Sequence, residues 1–329
     1  MNTDNPNVYV TRILPEKAIN LLKKTCNVEI NPDDRMLARK ELLQKVKGKD
    51  AVLCLLTDKI DDEVFAAAGP KCRIFANYAV GYNNVDVQAA TKRKIVVTNT
   101  PGVLTDATAD LAWTLLFAVS RRVVEADRFT RQGKFTGWEP MMFLGRDITG
   151  KTLGVIGAGR IGANFAKKAV GFNMKILYSD LAPNKDFEKD TGAMLVKRDE
   201  LLQRSDFVSI HVPLMPETEH LIGERELSLM KKTAVLINTS RGPVMDEKAL
   251  VKALRTKTIW GVGLDVYENE PAIEPGLAEL ENVVILPHIA SATIETRTNM
   301  GLIAVKNIIA VMNNQMPPNC VNPEVFNAK

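Results

Sequence analysis

Histidine is scarce in this chain: three residues in 329, His211, His220 and His288. Any proton chemistry near neutral pH therefore has few candidate carriers. The four cysteines, Cys26, Cys54, Cys72 and Cys320, contain no CxxC spacing, and Cys54 and Cys72 lie in or beside apolar runs. That pattern describes buried thiols in a reducing cytoplasm rather than a disulfide framework or a zinc site, and no metal is expected. No stretch approaches the roughly 18 apolar residues of a membrane helix. The opening MNTDNPNVYV lacks a basic region followed by an apolar segment, so neither a secreted nor a membrane-spanning product is expected. Long Lys/Arg blocks are also missing: 43 basic residues face 39 acidic ones, with signs mixed along the chain. There is no stripe for nucleic acid, and a small anionic substrate would have to be held by particular arginines or helix ends. Solenoid-period repeats and low-complexity tracts are absent, and glycine and proline are scattered as punctuation, which argues against disordered or collagen-like structure.

What is present is a rhythm of short apolar runs alternating with helix-length amphipathic stretches. NVYVT, AVLCLLT (51–57), RIFANYAV (73–80) and IVVTN (95–99) read as strands, separated by helical spacings at 15–24, 36–47 and 61–68. After DITGKT a second and longer series follows: LGVIG, KILYSD, DFVSIHVPL, TAVLINT, WGVGLDV and NVVILPH. Both series predict doubly wound parallel sheets covered by helices, hence an α/β protein of two domains. TDATADLAWTLLFAVSRR (105–122) reads as one long apolar helix crossing between them, opened by a Thr or Asp cap. Residues 294–312 form a further helix, and the expected division is 1–100 plus 288–329 for the first domain and 101–287 for the second.

GVIGAGRIG places Gly157, Gly159 and Gly162 in a GxGxxG pattern between a strand and a helix. The glycines allow a tight turn, close approach of backbone to a pyrophosphate, and close helix packing, while the helix N-terminus offers N–H groups and a favourable dipole. Asp180 ends the next strand, 18 residues beyond Gly162, near the roughly 20 expected of the acid that binds a ribose 2′-hydroxyl. Its carboxylate repels a 2′-phosphate, which favours NAD, and Lys185 nearby keeps NADP open. A plain loop turn and an S-adenosylmethionine site are the competing readings of the glycines.

A nicotinamide chemistry requires a general acid and a group that holds the substrate. His288 breaks the apolar run VVILPHIASAT at the end of the last strand, and ligands of open α/β sheets bind beyond the carboxyl ends of the strands. His211 and His220 read as structural or surface residues, with His211 close enough to a strand end to touch cofactor. Arg241, in INTSRGPVMDE, and Glu270, in GLDVYENEP, follow two further strands of the same series. Arginine pairs with a carboxylate and polarises an adjacent ketone. Glu270 bonded to the imidazole would favour the protonated ring, and its alternative reading is a solvated acid.

The motifs NYAVGYNNVD, TNTPGVLTDATADLAW, GKTLGVIGAGRIG, LINTSRGPVMDE, GLDVYENEP and LPHIASAT, in this order over nearly the whole chain, resemble the D-2-hydroxyacid dehydrogenase family, in particular its glyoxylate and hydroxypyruvate reductases. The resemblance implies a Rossmann NAD-binding domain and a smaller flavodoxin-like substrate domain, with the active site in the cleft between them. It implies that Arg241 binds the keto-acid carboxylate, Glu270 tunes the acid, and His288 protonates the carbonyl oxygen as NADH reduces glyoxylate or hydroxypyruvate to glycolate or D-glycerate. Substrate contacts carry over to Val80 and Gly81, through backbone N–H groups, and to Ser291. Cofactor contacts carry over to Thr108, Arg160, Ile161, Asp180, Val212, Pro213, Thr239 and Asp265; Val212 and Pro213 also read as a strand end, and Asp265 as a turn cap. Trp138, in FTGWEPMMF, matches a tryptophan that reaches across a dimer interface to the substrate site, implying a homodimer; core packing is its other reading. Two departures stand out: Ala290 takes a position where glycine is common, narrowing the nicotinamide pocket, and Asp180 stands where several glyoxylate reductases carry basic or neutral residues that favour NADP. A D-3-phosphoglycerate dehydrogenase, and an NAD-sensing protein of the corepressor kind, are the rival readings.

Overall fold

The computed structural model describes residues 5–327. The chain divides into two compact units, Met1–Leu104 with Ala292–Lys329, and Thr105–Ser291.

The first unit is built on strands β1 (Asn7–Val10), β2 (Asn27–Ile30), β3 (Ala51–Cys54), β4 (Ile74–Asn77) and β5 (Val96–Thr98), in the order β2-β1-β3-β4-β5. All pairings are parallel, and the 2-1-3-4-5 order is the flavodoxin-like one. Every residue of β3 and β4 is buried, as both faces of such a sheet are covered by helices. One face packs Val8, Val10, Leu53, Ile74 and Ala76 against Ala18, Ile19 and Leu22 of the helix Glu16–Lys23 and Met300, Ala304, Val305 and Ile308 of the helix Ile294–Met312. The latter helix begins where Thr293 Oγ1 accepts the N–H of Thr296 at 3.0 Å. The other face packs Tyr9, Val52, Cys54, Phe75 and Val97 beneath Val64, Phe65 and Ala90. The run 73–80, expected as a single strand, is strand only over Ile74–Asn77, because the chain turns there, the Asn77 carbonyl accepting from Ala79 N at 2.9 Å.

The second unit contains β6 (Thr152–Ile156), β7 (Lys175–Ser179), β8 (Met194–Leu195), β9 (Phe207–Ile210), β10 (Val235–Asn238), β11 (Gly261–Leu264) and β12 (Val283–Ile285). Their order is β12-β11-β10-β9-β6-β7-β8, also parallel. Counted from β6 this is the 3-2-1-4-5-6 order of the Rossmann fold with one further strand at the edge. The helix Thr105–Ser120, expected to cross between the domains, belongs to the second unit: Ala109, Ala112, Trp113, Leu115, Leu116 and Val119 are part of this unit's core, with Leu153, Val155, Phe165 and Ile237. Cys26, Cys54 and Cys72 are buried free thiols, and Cys320 is a half-buried one. Among the described residues no helix is long and apolar enough to cross a membrane.

Candidate active site

Six loops leave the carboxyl edge of the seven-stranded sheet, and nearly all the residues singled out in this unit lie on them. Gly157 follows β6, Asp180 follows β7, His211 follows β9, Thr239 and Arg241 follow β10, Asp265 and Glu270 follow β11, and His288 comes three residues after the end of β12.

Around the glycine turn the spacing explains the residue types. Gly157 has φ +91°, and a Cβ there would lie 2.8 Å from Val212 Cγ1 and 2.9 Å from the His211 backbone. A Cβ on Gly162 would lie 1.9 Å from the Gly157 carbonyl oxygen, so the helix Arg160–Ala169 rests directly on the turn. At Gly159 the same construction meets no atom within 4 Å. That open approach in front of a helix N-terminus is where a pyrophosphate fits. Asp180 accepts from Ala158 N and Leu181 N, both at 2.7 Å, which fixes its carboxylate against the turn. Thr239 Oγ1 is buried without a hydrogen-bond partner, an orphan that a ligand group would satisfy. Arg160 and Pro213 are exposed, Ile161 and Val212 half-buried, and Thr108 buried on its helix. These residues fit a dinucleotide.

The second cluster lies around His288, whose backbone is left-handed with φ +55°. Such a turn is uncommon outside glycine, and Asp265 holds it here by accepting from Ile289 N and Ala290 N, both at 2.7 Å. Asp265 is fully buried and its turn-capping reading is met. Burial pushes its carboxyl up, against the two N–H donors and the His288 charge. His288 Nδ1 donates to Glu270 Oε2 at 2.9 Å, with the side chains 24% and 31% exposed. Glu270 is therefore not a freely solvated acid: burial raises its carboxyl, but the His288 hydrogen bond and charge, the Tyr267 N–H and the Arg241 charge outweigh burial and leave it lowered. Arg241 donates Nη1 to the Ser240 carbonyl at 2.7 Å, and Asn238 Nδ2 donates to the Arg241 carbonyl at 3.0 Å. Burial lowers its guanidinium, opposed by Glu270. Ala290 is buried and Ser291 half-buried just beyond His288.

Tyr267 is the residue that sequence reasoning missed. Its N–H donates to Glu270 Oε1 at 3.0 Å and its hydroxyl to the Leu286 carbonyl at 2.7 Å, two residues before His288. A Cβ on Gly242, next to Arg241, would lie 1.8 Å from the Tyr267 carbonyl carbon. One tyrosine thus touches all three loops that carry Arg241, Glu270 and His288, through contacts that no local pattern announces.

The remaining histidines have other surroundings. His211 Nε2 bonds Ser209 Oγ at 2.8 Å, its ring lies against Phe165, and burial pushes it down to about 3. His220 Nε2 bonds Glu268 Oε1 at 2.8 Å, which raises it against burial. Trp138 is not core: it is 83% exposed. Val80 and Gly81 belong to the first unit, on the loop after β4. Among the described residues no group of three or more His, Cys, Asp and Glu assembles to hold a metal ion.

Residues 113–290 match the family model described as the NAD binding domain of D-isomer specific 2-hydroxyacid dehydrogenases. The chain belongs to that family. The D-isomer specific 2-hydroxyacid dehydrogenases similar to it include the glyoxylate reductase of Korarchaeum cryptofilum, 53% identical over 327 residues and covering 98% of each chain, and that of Thermococcus litoralis, 52% identical over 325 residues with the same coverage. Among solved structures, a glyoxylate reductase from Paecilomyes thermophila superposes with a TM-score of 0.86 at 33% identity, covering 97% of this chain and 99% of that one. An NADPH-dependent glyoxylate/hydroxypyruvate reductase from Sinorhizobium meliloti, in complex with NADP and malonate, gives 0.84 at 31% identity, covering 96% and 97%. For a member of this dehydrogenase family, the glycine turn and the His288 cluster lie within the matched span.

Proposed function

We propose that this chain reduces a small 2-keto acid, glyoxylate or hydroxypyruvate, to the D-2-hydroxy acid, glycolate or D-glycerate, using NADH. The observation that carries this reading is the His288–Glu270 pair, at the same loop edge as the half-buried Arg241. Arg241 pairs with the substrate carboxylate through its planar fork and draws electron density from the ketone. When bound, the reduced nicotinamide supplies hydride to the keto carbon. His288, with Nδ1 engaged by Glu270, gives its Nε2 proton to the carbonyl oxygen as charge develops there. Glu270 stabilises the imidazolium before transfer, and Tyr267 keeps the two side chains aligned. The first unit serves as the substrate domain, its Val80 and Gly81 N–H groups receiving the carboxylate, and Ser291 adds a further substrate contact.

Thr108, Arg160, Ile161, Val212, Pro213, Thr239, Asp265 and Ala290 line the dinucleotide in this reading, and Asp180 selects NAD over NADP. The Sinorhizobium protein is NADPH-dependent, and assaying NADH and NADPH side by side tests the role of Asp180. A homodimer is part of the reading. Val123, Val124, Phe135, Trp138, Met141 and Leu144, all large and apolar, are exposed within residues 123–144, and exposed apolar surface of this kind marks an interaction site where it gathers in a patch. A second copy would cover it. Free buried thiols suit a cytoplasmic protein.

The deciding experiment follows loss of NADH, and separately NADPH, absorbance with glyoxylate, hydroxypyruvate and pyruvate. Rapid NADH oxidation with the first two is expected. Tight NADH binding without turnover of any keto acid would overturn the reading in favour of a sensing protein.

A further inference from the structure

The loop between β4 and the helix Val87–Lys92 has four successive carbonyls held from inside the first unit. Ala79 O accepts from Thr100 N at 2.8 Å, Val80 O from Asn99 Nδ2 at 2.8 Å, Gly81 O from Asn77 Nδ2 at 3.0 Å, and Tyr82 O from Val85 N at 2.9 Å. In a planar trans peptide the carbonyl of one residue and the N–H of the next point in opposite directions. Drawing the carbonyls of Ala79, Val80 and Gly81 inward therefore turns the N–H groups of Val80, Gly81 and Tyr82 outward. Among the described residues none of these three N–H groups donates to a protein acceptor. The result is a row of amide donors with no partner of their own, the arrangement that binds anions.

Three asparagines create this row. The side-chain amides of Asn77 and Asn84 pair head to tail, Asn77 Nδ2 to Asn84 Oδ1 at 3.2 Å and Asn84 Nδ2 to Asn77 Oδ1 at 3.3 Å. Asn84 Nδ2 also reaches the carbonyls of Leu55 at 3.0 Å and Asp58 at 3.1 Å. That turn is itself fixed, since the buried Asp58 carboxylate accepts from Thr11 Oγ1 at 2.6 Å and Leu55 N at 2.8 Å. Asn99, adjoining β5, supplies the third support. Only an amide does this work, because it donates to one carbonyl while accepting from the neighbouring amide; a carboxylate of equal size would only accept and would repel the carbonyls.

We propose that Asn77, Asn84 and Asn99 are positioning residues that preset the Val80–Tyr82 amides to receive the carboxylate of the 2-keto acid. The proposal rests on the reading of this loop as part of the substrate site. Its physical content is preorganisation: donors already aimed outward are not reoriented when the anion arrives.

The test compares Asn99→Ala and Asn84→Ala with wild type, using NADH, glyoxylate and the unreactive carboxylate oxamate. Expected are rises of about five- to tenfold in KM for glyoxylate and Ki for oxamate, the size of one or two lost hydrogen bonds. Turnover at saturating glyoxylate should fall by less than about threefold, and the Kd for NADH should stay where it is. A purely structural role would lower the melting temperature and move kcat, KM and NADH affinity together, or leave KM untouched, and either result overturns the proposal. Should Asn84→Ala fail to fold, Asn99→Ala carries the comparison, because it leaves the Asn77–Asn84 pair intact. Gly81→Pro removes a donor without touching any asparagine, and the amide resonances of Val80 and Gly81 report oxamate in the wild-type NADH complex. If neither responds, the loop is not part of the substrate site and the proposal falls with that reading. If both respond while the asparagine variants bind oxamate normally, the loop reading stands and the positioning role alone is overturned.

Discussion

The seven-stranded unit carries two histidine–glutamate pairs of nearly equal length, His288–Glu270 at 2.9 Å and His220–Glu268 at 2.8 Å. Both histidines have left-handed backbone, with φ of +55° and +48°, and their acids stand two residues apart in one loop. The difference lies in which nitrogen is used. His288 spends Nδ1 on its carboxylate and keeps Nε2, the atom at the tip of the ring; His220 spends Nε2. The neighbourhoods differ as well: the first pair feels the half-buried Arg241, whereas Asp246 and Glu219 act on His220. A histidine–carboxylate pair is therefore not by itself a proton donor. The atom left over and the cation beside it decide.

The comparison breaks most sharply at the rings. His288→Asn should lower kcat by about a hundred- to ten-thousandfold, the contribution of a positioned general acid, with NADH affinity retained. His220→Asn should leave kcat within about twofold of wild type. Steady-state kinetics of both variants check this, and equal losses would erase the distinction. Arg241→Lys, which keeps the charge and loses the fork, should raise KM for glyoxylate and lower kcat/KM by about tenfold or more, the scale of one charge-assisted hydrogen bond. Glu270→Gln should lower kcat by about tenfold or more, because the carboxylate that holds the His288 ring by Nδ1 is gone; Glu268→Gln should leave kcat within about twofold of wild type. Steady-state kinetics of the two variants give the answer directly.

His211, which has no carboxylate partner, sharpens the contrast through stability. Its folded pKa of about 3 lies below that of an unfolded histidine near 6.5. As pH falls from 6.5 towards 3 the unfolded chain binds a proton that the folded chain refuses, so stability is lost over that window by on the order of 1 kcal/mol per pH unit. Replacing His211 with Gln should flatten this slope in denaturant titrations. His220 has the opposite sign: its folded pKa is raised, so the stabilisation is fully present below the unfolded pKa and disappears as pH rises through the folded one. With a side chain 45% exposed, solvent screening keeps that effect below about 0.5 kcal/mol. It is the smallest of these differences.

Much of this architecture was readable because it depends on local pattern. Buried parallel strands are apolar throughout, a glycine turn must sit between strand and helix, and His288, Arg241 and Glu270 each follow a strand end. What stayed hidden depends on contacts between distant positions. Nothing in VYENEP tells Glu268 from Glu270, since the partner histidines are 48 and 18 residues away. The strand at Ile74–Asn77 stops short of the apolar run because the Asn77 carbonyl turns back to accept from Ala79 N at 2.9 Å. Trp138 looks like core by composition, and only the path of the chain leaves it in solvent.

The first unit's core joins Val8, Val10 and Leu22 to Met300, Ala304, Val305 and Ile308, so the five-stranded sheet waits for one of its helices until after Thr105–Ser291 has been made. On the ribosome the later half of the fold is thus free to finish before the earlier one, its own cores being contiguous in sequence. A chain broken off before residue 294 would leave bare the part of that sheet face that Met300, Ala304, Val305 and Ile308 cover, an open target for proteases and for aggregation with other incomplete copies.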